Sequence, residues 1–181
     1  MPELSIIIPV LNEAARLQQH LQQLQWLRHK GHEIIVVDGG STDDSVCLAR
    51  DYADRVITHH RGRATQMNAG AAQASGRVLF FVHADTHLPQ AADELITDVA
   101  APLSQFWGFF TVRLSRQKAI FRVVEFFMNK RSRLTGIATG DQAIFVSAEL
   151  FRRIDGYDNI PLMEDIAICK KLKRISQPAC V

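Results

Sequence analysis

The 181-residue sequence lacks the features that mark membrane, secreted and nucleic-acid-binding proteins. No segment approaches the roughly 18 uninterrupted apolar residues that a membrane span requires. The apolar run near the N-terminus follows Glu3, is short and has no basic leader, so it does not resemble a signal peptide. A net charge of +2 is too small to favour nucleic acid as a partner. We therefore expect a cytoplasmic protein that binds no nucleic acid.

Characteristic cysteine and glycine patterns are also missing. Cys47, Cys169 and Cys180 are odd in number and match no metal-ligand spacing, which predicts free thiols in a reducing compartment. The pair Gly39-Gly40 lacks the other glycines of the Rossmann fingerprint, and no Walker lysine follows it. These absences argue against a disulfide scaffold, a Rossmann dinucleotide site and a P-loop.

The composition is that of an ordinary globular protein, with 47% hydrophobic and 22% charged residues. A chain of this length can bury one sizeable core. No linker, repeat or low-complexity segment divides it, and we predict a single domain over residues 1–181.

The first 90 residues alternate short apolar runs with stretches of helical period. Asn12 is predicted to cap the first helix, and Ser41 with Asp44 to begin the second as a capping box. Continuous apolar strands separated by helices predict a parallel sheet that is covered on both faces. The predicted strands are residues 4–9, 33–37, 55–58 and 78–82.

The remainder of the chain departs from this alternation. The stretch 119–134 predicts a helix with one apolar side and a basic end. The pattern favours a core helix with a solvated end; the alternative is a helix that lies on a membrane surface. The apolar side consists of Phe121, Val124, Phe127 and Met128, and the basic end of Lys130, Arg131 and Arg133. Further strands are predicted at 106–114 and 142–146, and further helices at 90–101, 148–154 and 163–175.

Polar residues follow three of the predicted strands. Glu13 comes after the first strand, Asp38 after the second and Asp85 after the fourth. In open parallel sheets, ligands bind at the carboxyl ends of the strands, in loops that lead into helices. We therefore expect these three segments to meet along one edge of the sheet.

Each acidic candidate has a structural alternative. Asp38 precedes Gly39-Gly40 and could be a turn former only, or could accept a hydrogen bond from a base or ribose. Asp85 could be a helix N-cap, or could hold the Mg²⁺ or Mn²⁺ that neutralises a diphosphate. Glu164 and Asp165 could stabilise the macrodipole at the start of the last helix, or one of them could be a general base.

Basic and histidine-containing segments offer weaker signals. The segment from His59 to Arg63 is a basic loop before a helix, which either contacts phosphates or is a solvated turn. His83 and His87 have a spacing that suits zinc, but no further Cys or His lies near them in the sequence. Zinc is therefore disfavoured.

Four segments in a fixed order are more informative than any one of them. SIIIPVLNEAARL, EIIVVDGGSTDDS, RATQMNAGAAQASGRVLFFVHADTHLP and GYDNIPLMEDIAICKKLKR together resemble family 2 glycosyltransferases of the GT-A fold. GDQAIF and PLMED are most similar to the small bacterial subgroup of radical-SAM/selenodomain-associated transferases. The resemblance covers essentially the whole chain. It implies an α/β fold with a mostly parallel central sheet, a nucleotide-binding half at about 1–101 and an acceptor half at about 102–181.

The resemblance also implies which residues bind the donor. The residues from Pro9 to Glu13 correspond to the first nucleotide-binding loop, and Asp38 to the aspartate that reads the base. Arg63 and Asn68 fall where relatives flank the base and the diphosphate. The implied donor-binding set is Pro9, Glu13, Asp38, Ser41, Arg63, Asn68, His83 and Asp85.

Catalytic roles follow from the same resemblance. His83-Ala84-Asp85 stands at the Asp-x-Asp motif, which makes Asp85 the ligand of Mn²⁺ or Mg²⁺ although His83 replaces the first acid. Asp165 matches the base that deprotonates the acceptor in inverting transfer, with Glu164 and Asp141 on the acceptor side. No Gln-x-x-Arg-Trp motif of processive synthases is present, which disfavours polymer synthesis. The sequence stops where a further strand is predicted, whereas the family usually continues, so truncation is an alternative.

We therefore predict a glycosyltransferase that moves a sugar from a UDP- or GDP-linked donor to an acceptor, by inversion and with a divalent cation. One rival is a nucleotidyltransferase, although PVLNEAARL lacks the glycine-rich, basic loop of that class. The other is a non-catalytic nucleotide-sugar-binding protein. Peripheral contact with the inner face of the membrane is an alternative that rests on the aromatic helix.

Overall fold

The computed structural model describes residues 3–101, 103–113 and 119–181 of the chain. Within these ranges, seven strands form one sheet and eight α-helices accompany it. The strands are β1 (Leu4–Val10), β2 (Glu33–Asp38), β3 (Arg55–Thr58), β4 (Val78–Phe81), β5 (Trp107–Phe109), β6 (Ile144–Ser147) and β7 (Ala179–Cys180). The helices are α1 (Ala14–Gln23), α2 (Gln25–His29), α3 (Ser45–Tyr52), α4 (Arg63–Gln73), α5 (Ala92–Ala100), α6 (Ala119–Thr135), α7 (Ala148–Arg153) and α8 (Glu164–Lys173).

The strands lie in the order β3-β2-β1-β4-β6-β5-β7. Strands β1 to β4 are parallel to one another, β6 is antiparallel to β4 and β5, and β7 is parallel to β5. Every described strand except β6 therefore points the same way, which confirms the predicted mostly parallel sheet. Strands of such sheets are buried on both faces, and this is why their sequences are continuously apolar.

The core occupies both faces of the sheet because successive side chains of a strand point to opposite sides. On one face, Ile6 and Ile8 of β1 belong to the same buried cluster as Leu17 of α1. On the other face, Ile7 belongs to a second cluster that includes Met67 of α4. The helices that follow β1 and β3 thus cover opposite faces.

The predicted helix caps are wrong. Asn12 has a φ of 55° and does not cap α1, whose N-cap residue is Glu13. Ser41 does not begin a capping box either, because α3 starts only at Ser45 with Asp44 as its N-cap. In both cases, contacts between the loops after β1 and β2 replace the local hydrogen bonds that a cap would make.

Several element boundaries also differ from expectation. The strand predicted over 106–114 is limited to β5, and residue 114 lies outside the described residues. The strand predicted from 142 begins at Ile144, because Gly140–Gln142 forms a 3₁₀ turn. Ala143, with a φ of 42°, connects this turn to β6. A short turn of this kind places Asp141 at the edge of the sheet rather than inside a strand.

Helix α6 is not the core helix that its apolar pattern favours. Val124 is 41% exposed and Phe127 is 63% exposed. The inward side of α6 instead carries Glu125 and Ser132, both buried. None of the helices within the described ranges is both long enough and apolar enough to cross a membrane.

Candidate functional site

The carboxyl ends of the parallel strands meet at one edge of the sheet, which we call the rim. Val10, at the end of β1, is in register with Asp38, at the end of β2. Phe81, at the end of β4, is in register with Ile144, at the beginning of β6. Because β6 runs the opposite way, the turn that precedes it lies at the same edge. The three polar segments expected from the sequence therefore share the rim with a fourth, residues 140–142.

Asp38 is buried and holds the loop after β2 in place. Its carboxylate accepts hydrogen bonds from the backbone N–H groups of Gly40 (2.9 Å) and Ser41 (3.0 Å). Gly40 has a φ of 93°, a conformation that glycine adopts without strain. These contacts match the turn-forming alternative for Asp38. Its contact with a base stays a prediction.

Hydrogen bonds join the loops after β1 and β2. The Ser41 hydroxyl oxygen accepts from the backbone N–H of Asn12 at 2.8 Å, and the Ser45 hydroxyl oxygen accepts from that of Glu13 at 2.9 Å. Ser45 also donates to the carboxylate of Asp43 at 2.6 Å, and this hydrogen bond lowers the pKa of Asp43. Glu13 and Ser41, both predicted to bind the donor, therefore lie in one cross-linked pair of loops.

Gln66 of α4 binds the ends of the two strands that lead into these loops. Sequence reasoning did not identify this residue. Its buried side-chain amide donates to the carbonyl oxygens of Val10 (2.9 Å) and Val37 (2.7 Å), where β1 and β2 end. It also packs on Gly39, where a Cβ would lie 3.0 Å from the Gln66 Oε1. The one available signal was a polar residue in a helix of mostly small residues.

Asp165, the second residue of α8, is only 8% exposed. Burial raises the pKa of its carboxyl to about 6, and the negative charge of Glu164 contributes to the rise. Arg63 and a hydrogen bond from the backbone of Gly140 act in the opposite direction. A carboxylate with this pKa is ionised at neutral pH and basic enough to accept a proton, which suits a general base.

Gly140 lets the segments that carry Asp165 and His83 pack closely together. A Cβ at Gly140 would clash with the His83 ring and would lie 2.8 Å from the Asp165 Oδ2. Burial lowers the pKa of His83, and the nearby charge of Arg63 lowers it further. His83 is therefore a neutral imidazole at neutral pH. Sequence reasoning did not identify Gly140, because its role depends on two side chains distant in the sequence.

An ion pair links the first residues of α4 and α8. The Arg63 Nη1 lies 3.5 Å from the Glu164 Oε1. The side chain of Glu164 is 5% exposed, whereas that of Arg63 is 54% exposed. This ion pair holds the end of the predicted basic loop next to Glu164 and Asp165. It leaves much of the Arg63 guanidinium accessible to solvent.

A cleft of about 860 Å³ opens beside Asp85 and Asp141. Residues 110–113 and Arg122 of α6 line its other side. The side chain of Asp141 is 65% exposed, and its Oδ1 lies 3.9 Å from the His83 Nδ1. The volume is within the range of small-molecule sites. Asp141 therefore borders both the cleft and the polar groups of the rim.

Asp85 is exposed in the turn after β4. No hydrogen bond or ion pair engages its carboxylate among the residues that the structure describes. In that same part of the chain, no group of three or more His, Cys, Asp or Glu side chains could hold a metal ion. Mg²⁺ and Mn²⁺ are commonly held by one or two carboxylates together with phosphate oxygens. Asp85 therefore fits a cation that binds together with a diphosphate, and not a preformed metal centre.

Two other residues predicted to bind the donor make structural contacts. Pro9 lies inside β1, in register with Val37. Asn68 of α4 donates to the backbone carbonyl of Tyr157 at 2.8 Å and accepts from its N–H at 2.9 Å. Asn68 thus fastens α4 to the segment that precedes α8. Its role in donor binding stays a prediction.

The sequence is similar to that of known glycosyltransferases. Residues 5–151 match the family model described as Glycosyl transferase family 2. An uncharacterised glycosyltransferase of Mycobacterium tuberculosis is 30% identical over 167 residues, which cover 87% of this chain and 63% of that protein. The undecaprenyl-phosphate 4-deoxy-4-formamido-L-arabinose transferase of Klebsiella pneumoniae is 28% identical over 170 residues, or 87% of this chain and 51% of that protein. The chain thus spans between about half and two thirds of the length of these relatives.

Solved structures share the fold. TarS of S. aureus, in complex with UDP-GlcNAc, has a TM-score of 0.77 at 16% identity, covering 100% of this chain and 56% of that one. The mannosyltransferase PcManGT of Pyrobaculum calidifontis, in complex with GDP-Man and Mn²⁺, has a TM-score of 0.71 at 22% identity, covering 99% and 54%. At these identities the likeness concerns the fold, and it confirms the predicted GT-A-like architecture.

Proposed function

The chain belongs to glycosyltransferase family 2, and we propose that it transfers a sugar from a nucleotide-sugar donor to a hydroxyl group of an acceptor, with inversion. The buried carboxyl of Asp165, with its pKa raised to about 6, carries the proposal. Ionising a buried carboxyl at neutral pH costs stability, and such groups cluster where a protein needs their chemistry. Its location at the rim supports a role as the base.

The nucleotide of the donor would lie on the loops after β1 and β2. Ligands of open parallel sheets bind at this edge, beside the strand where the order reverses, which here is β1. Glu13, Asp38 and Ser41 belong to these loops. Hydrogen bonds between the loops and within the second loop hold them in a fixed conformation before a ligand binds. TarS and PcManGT bind UDP-GlcNAc and GDP-Man respectively, which supports a UDP- or GDP-linked donor.

The diphosphate of the donor would lie between Arg63 and Asp85. Arg63 offers an exposed guanidinium at the N-terminus of α4, where anions are favoured. Asp85 would hold Mn²⁺ or Mg²⁺, which when bound neutralises the charge of the departing diphosphate. The Mn²⁺ in the PcManGT complex supports this part of the proposal. The neutral His83 can donate a hydrogen bond to a phosphate or ribose oxygen.

The acceptor would enter through the cleft beside Asp85 and Asp141, with Glu164 on the acceptor side of Asp165. Its hydroxyl oxygen forms a bond with the anomeric carbon while Asp165 takes the hydroxyl proton. The bond from the anomeric carbon to the diphosphate breaks at the same time, and the nucleoside diphosphate leaves with the electron pair. Attack from the face opposite the leaving group inverts the anomeric centre.

Two narrower expectations belong to the proposal. Membership of the radical-SAM/selenodomain-associated subgroup rests on the GDQAIF and PLMED segments. A cytoplasmic location rests on the three cysteines, which are free in the structure.

Turnover and donor binding test the proposal separately. The protein is incubated with UDP- and GDP-sugars and Mn²⁺, and release of nucleoside diphosphate is measured, while calorimetry reports donor affinity. Asp165→Asn should lower turnover on the order of 10²- to 10⁴-fold and keep donor affinity. Asp85→Ala should abolish the Mn²⁺-dependent part of diphosphate binding. Asp98→Asn, at an exposed carboxylate of α5, is the matched control.

Two outcomes would replace the proposal by a rival. Donor binding without turnover, unchanged by Asp165→Asn, would identify a non-catalytic nucleotide-sugar-binding protein. Release of pyrophosphate from a nucleoside triphosphate and a sugar phosphate would identify a nucleotidyltransferase.

A further inference from the structure

Helix α6 presents an apolar stripe to solvent. The exposed fraction of its members runs from 41% for Val124 to 77% for Leu134. Their spacing is that of one helix face, which in a globular protein usually contacts the core. The stripe consists of Ile120, Val123, Val124, Phe127 and Leu134, and Phe126 lies beside it at 60% exposure.

The opposite side of α6 carries polar residues that are hydrogen-bonded to the rest of the protein. Asn129 donates to and accepts from the backbone of Val112, both at 2.9 Å. The buried Ser132 hydroxyl donates to the Gln142 side chain at 2.7 Å. Rotating α6 to bury its apolar stripe would break these hydrogen bonds and bury groups without partners, which is costly. The outward direction of the stripe is therefore a property of the fold.

The charges of α6 have one sign on the outside. Lys130, Arg131 and Arg133 are all exposed near its C-terminal end, and the Lys130 Nζ lies 5.7 Å from the centre of the Phe126 ring. The single acid in the α6 sequence, Glu125, is buried and pairs with Arg122 at 2.8 Å. The outward surface of α6 thus combines large apolar side chains with cations and has no acid of its own.

We propose that α6 docks the protein on a membrane surface that contains anionic lipids. The stripe would enter the boundary between headgroups and acyl chains, and the three cations would contact the headgroups. Charge complementarity favours an anionic membrane over a second copy of the chain. In a dimer through α6, the exposed cations of one copy would face the same cations of the other. The docking does not depend on the proposed transfer.

Docking would also constrain the acceptor, and this consequence does rest on the proposed function. Arg122 of α6 lines the same cleft as Asp85 and Asp141. A protein held by the outer side of α6 therefore has the cleft within reach of the lipid surface. The acceptor class would then be a lipid-borne alcohol or phosphate.

Vesicle co-sedimentation tests the docking without any enzymatic assay. The full chain is mixed with vesicles of phosphatidylcholine alone, or of phosphatidylcholine with phosphatidylglycerol, at low and high salt. We expect binding to the anionic vesicles only, weakened by salt. The triple substitution Lys130→Gln, Arg131→Gln and Arg133→Gln should weaken it on the order of 100-fold. Val123→Gln with Phe127→Gln should weaken it about 10-fold or more.

Matched controls separate docking from general effects of charge and hydrophobicity. A triple Gln variant of Arg16, Arg50 and Arg55, exposed cations of α1, α3 and β3, should bind vesicles like the wild type. So should Leu103→Gln with Ile175→Gln, which removes two exposed apolar side chains elsewhere. Circular dichroism confirms that each variant is folded.

Three results would overturn the proposal. The first is absence of binding to anionic vesicles, and the second is equal loss of binding in the α6 variants and their controls. The third is a dimer that light scattering detects in the wild type and not in the double variant Val123→Gln, Phe127→Gln. The stripe would then be a contact between two copies of the chain. Vesicle binding by a protein that shows no sugar transfer would leave the docking intact and refute only the proposed function.

Discussion

Replacing Asp165 by asparagine should lower turnover strongly and, at neutral pH, stabilise the fold. The pKa of this carboxyl rises from 3.8 to about 6, first because of burial and then because of the neighbouring charge of Glu164. A folded-state pKa above the unfolded one means that ionisation opposes folding. The stability that the neutral carboxyl provides is therefore complete below about pH 4 and is lost as the pH rises through about 6.

The size of the effect follows from the same pKa. The pKa rises from 3.8 to about 6. At a pH where the carboxyl is ionised in both the folded and the unfolded protein, this rise lowers the free energy of unfolding by about 3 kcal/mol. Asparagine has no charge and keeps a side-chain oxygen that can accept the hydrogen bond from the Gly140 backbone. We expect Asp165→Asn to raise the free energy of unfolding by about 1–3 kcal/mol, or Tm by roughly 3–10 °C for a chain of this length.

Urea unfolding at about pH 7.5 and about pH 4 measures this difference. Asp165→Asn should be more stable than the wild type at the higher pH, and the gain should largely disappear at the lower pH. Asp98→Asn, which alters an exposed carboxylate, should change the free energy of unfolding by no more than about 0.5 kcal/mol at either pH. No gain at the higher pH, or an equal gain at both, would refute the reasoning.

Three further substitutions test particular contacts. Gly140→Ala places a methyl group against the Asp165 carboxylate and should lower kcat about 10-fold or more. Steady-state kinetics equal to those of the wild type would contradict the close packing of these segments. Asn68→Ala removes both hydrogen bonds to the Tyr157 backbone and should cost about 1–3 kcal/mol of unfolding free energy in urea titrations; a change near zero would show that the contact is dispensable. Glu164→Gln removes a charge that raises the pKa of Asp165, so the acid limb of the pH–activity profile should move to lower pH. A limb that stays in place or moves to higher pH would count against Asp165 as the base.

The first four strands could be predicted from the sequence to within a residue. β1, β2 and β4 are short apolar runs, and β2 (Glu33–Asp38) is buried along its whole length. Such runs, separated by helices, are typical of a parallel sheet that is covered on both faces. The placement of Asp38 and Asp85 at one edge followed from this inference, because parallel strands bring their carboxyl ends together.

The helix caps could not be predicted in the same way. Asn12 and Ser41 have the side chains that caps require, but they hydrogen-bond across two loops that are distant in sequence. The apolar side of α6 was misjudged for a related reason. Periodicity shows that a helix has an apolar side, whereas the contacts of Asn129 and Ser132 decide that this side faces outward.

The sequence by itself determined the class of fold and the residue types at its edge, since both depend on local patterns of apolar and polar residues. It also determined which carboxylates were candidates. Only the tertiary structure decided their chemistry. The pKa of Asp165 depends on burial and on Arg63 and Gly140, groups that long stretches of chain separate from it. Electrostatic effects of this kind depend on distance in space and on access to water, and neither can be read from the order of residues.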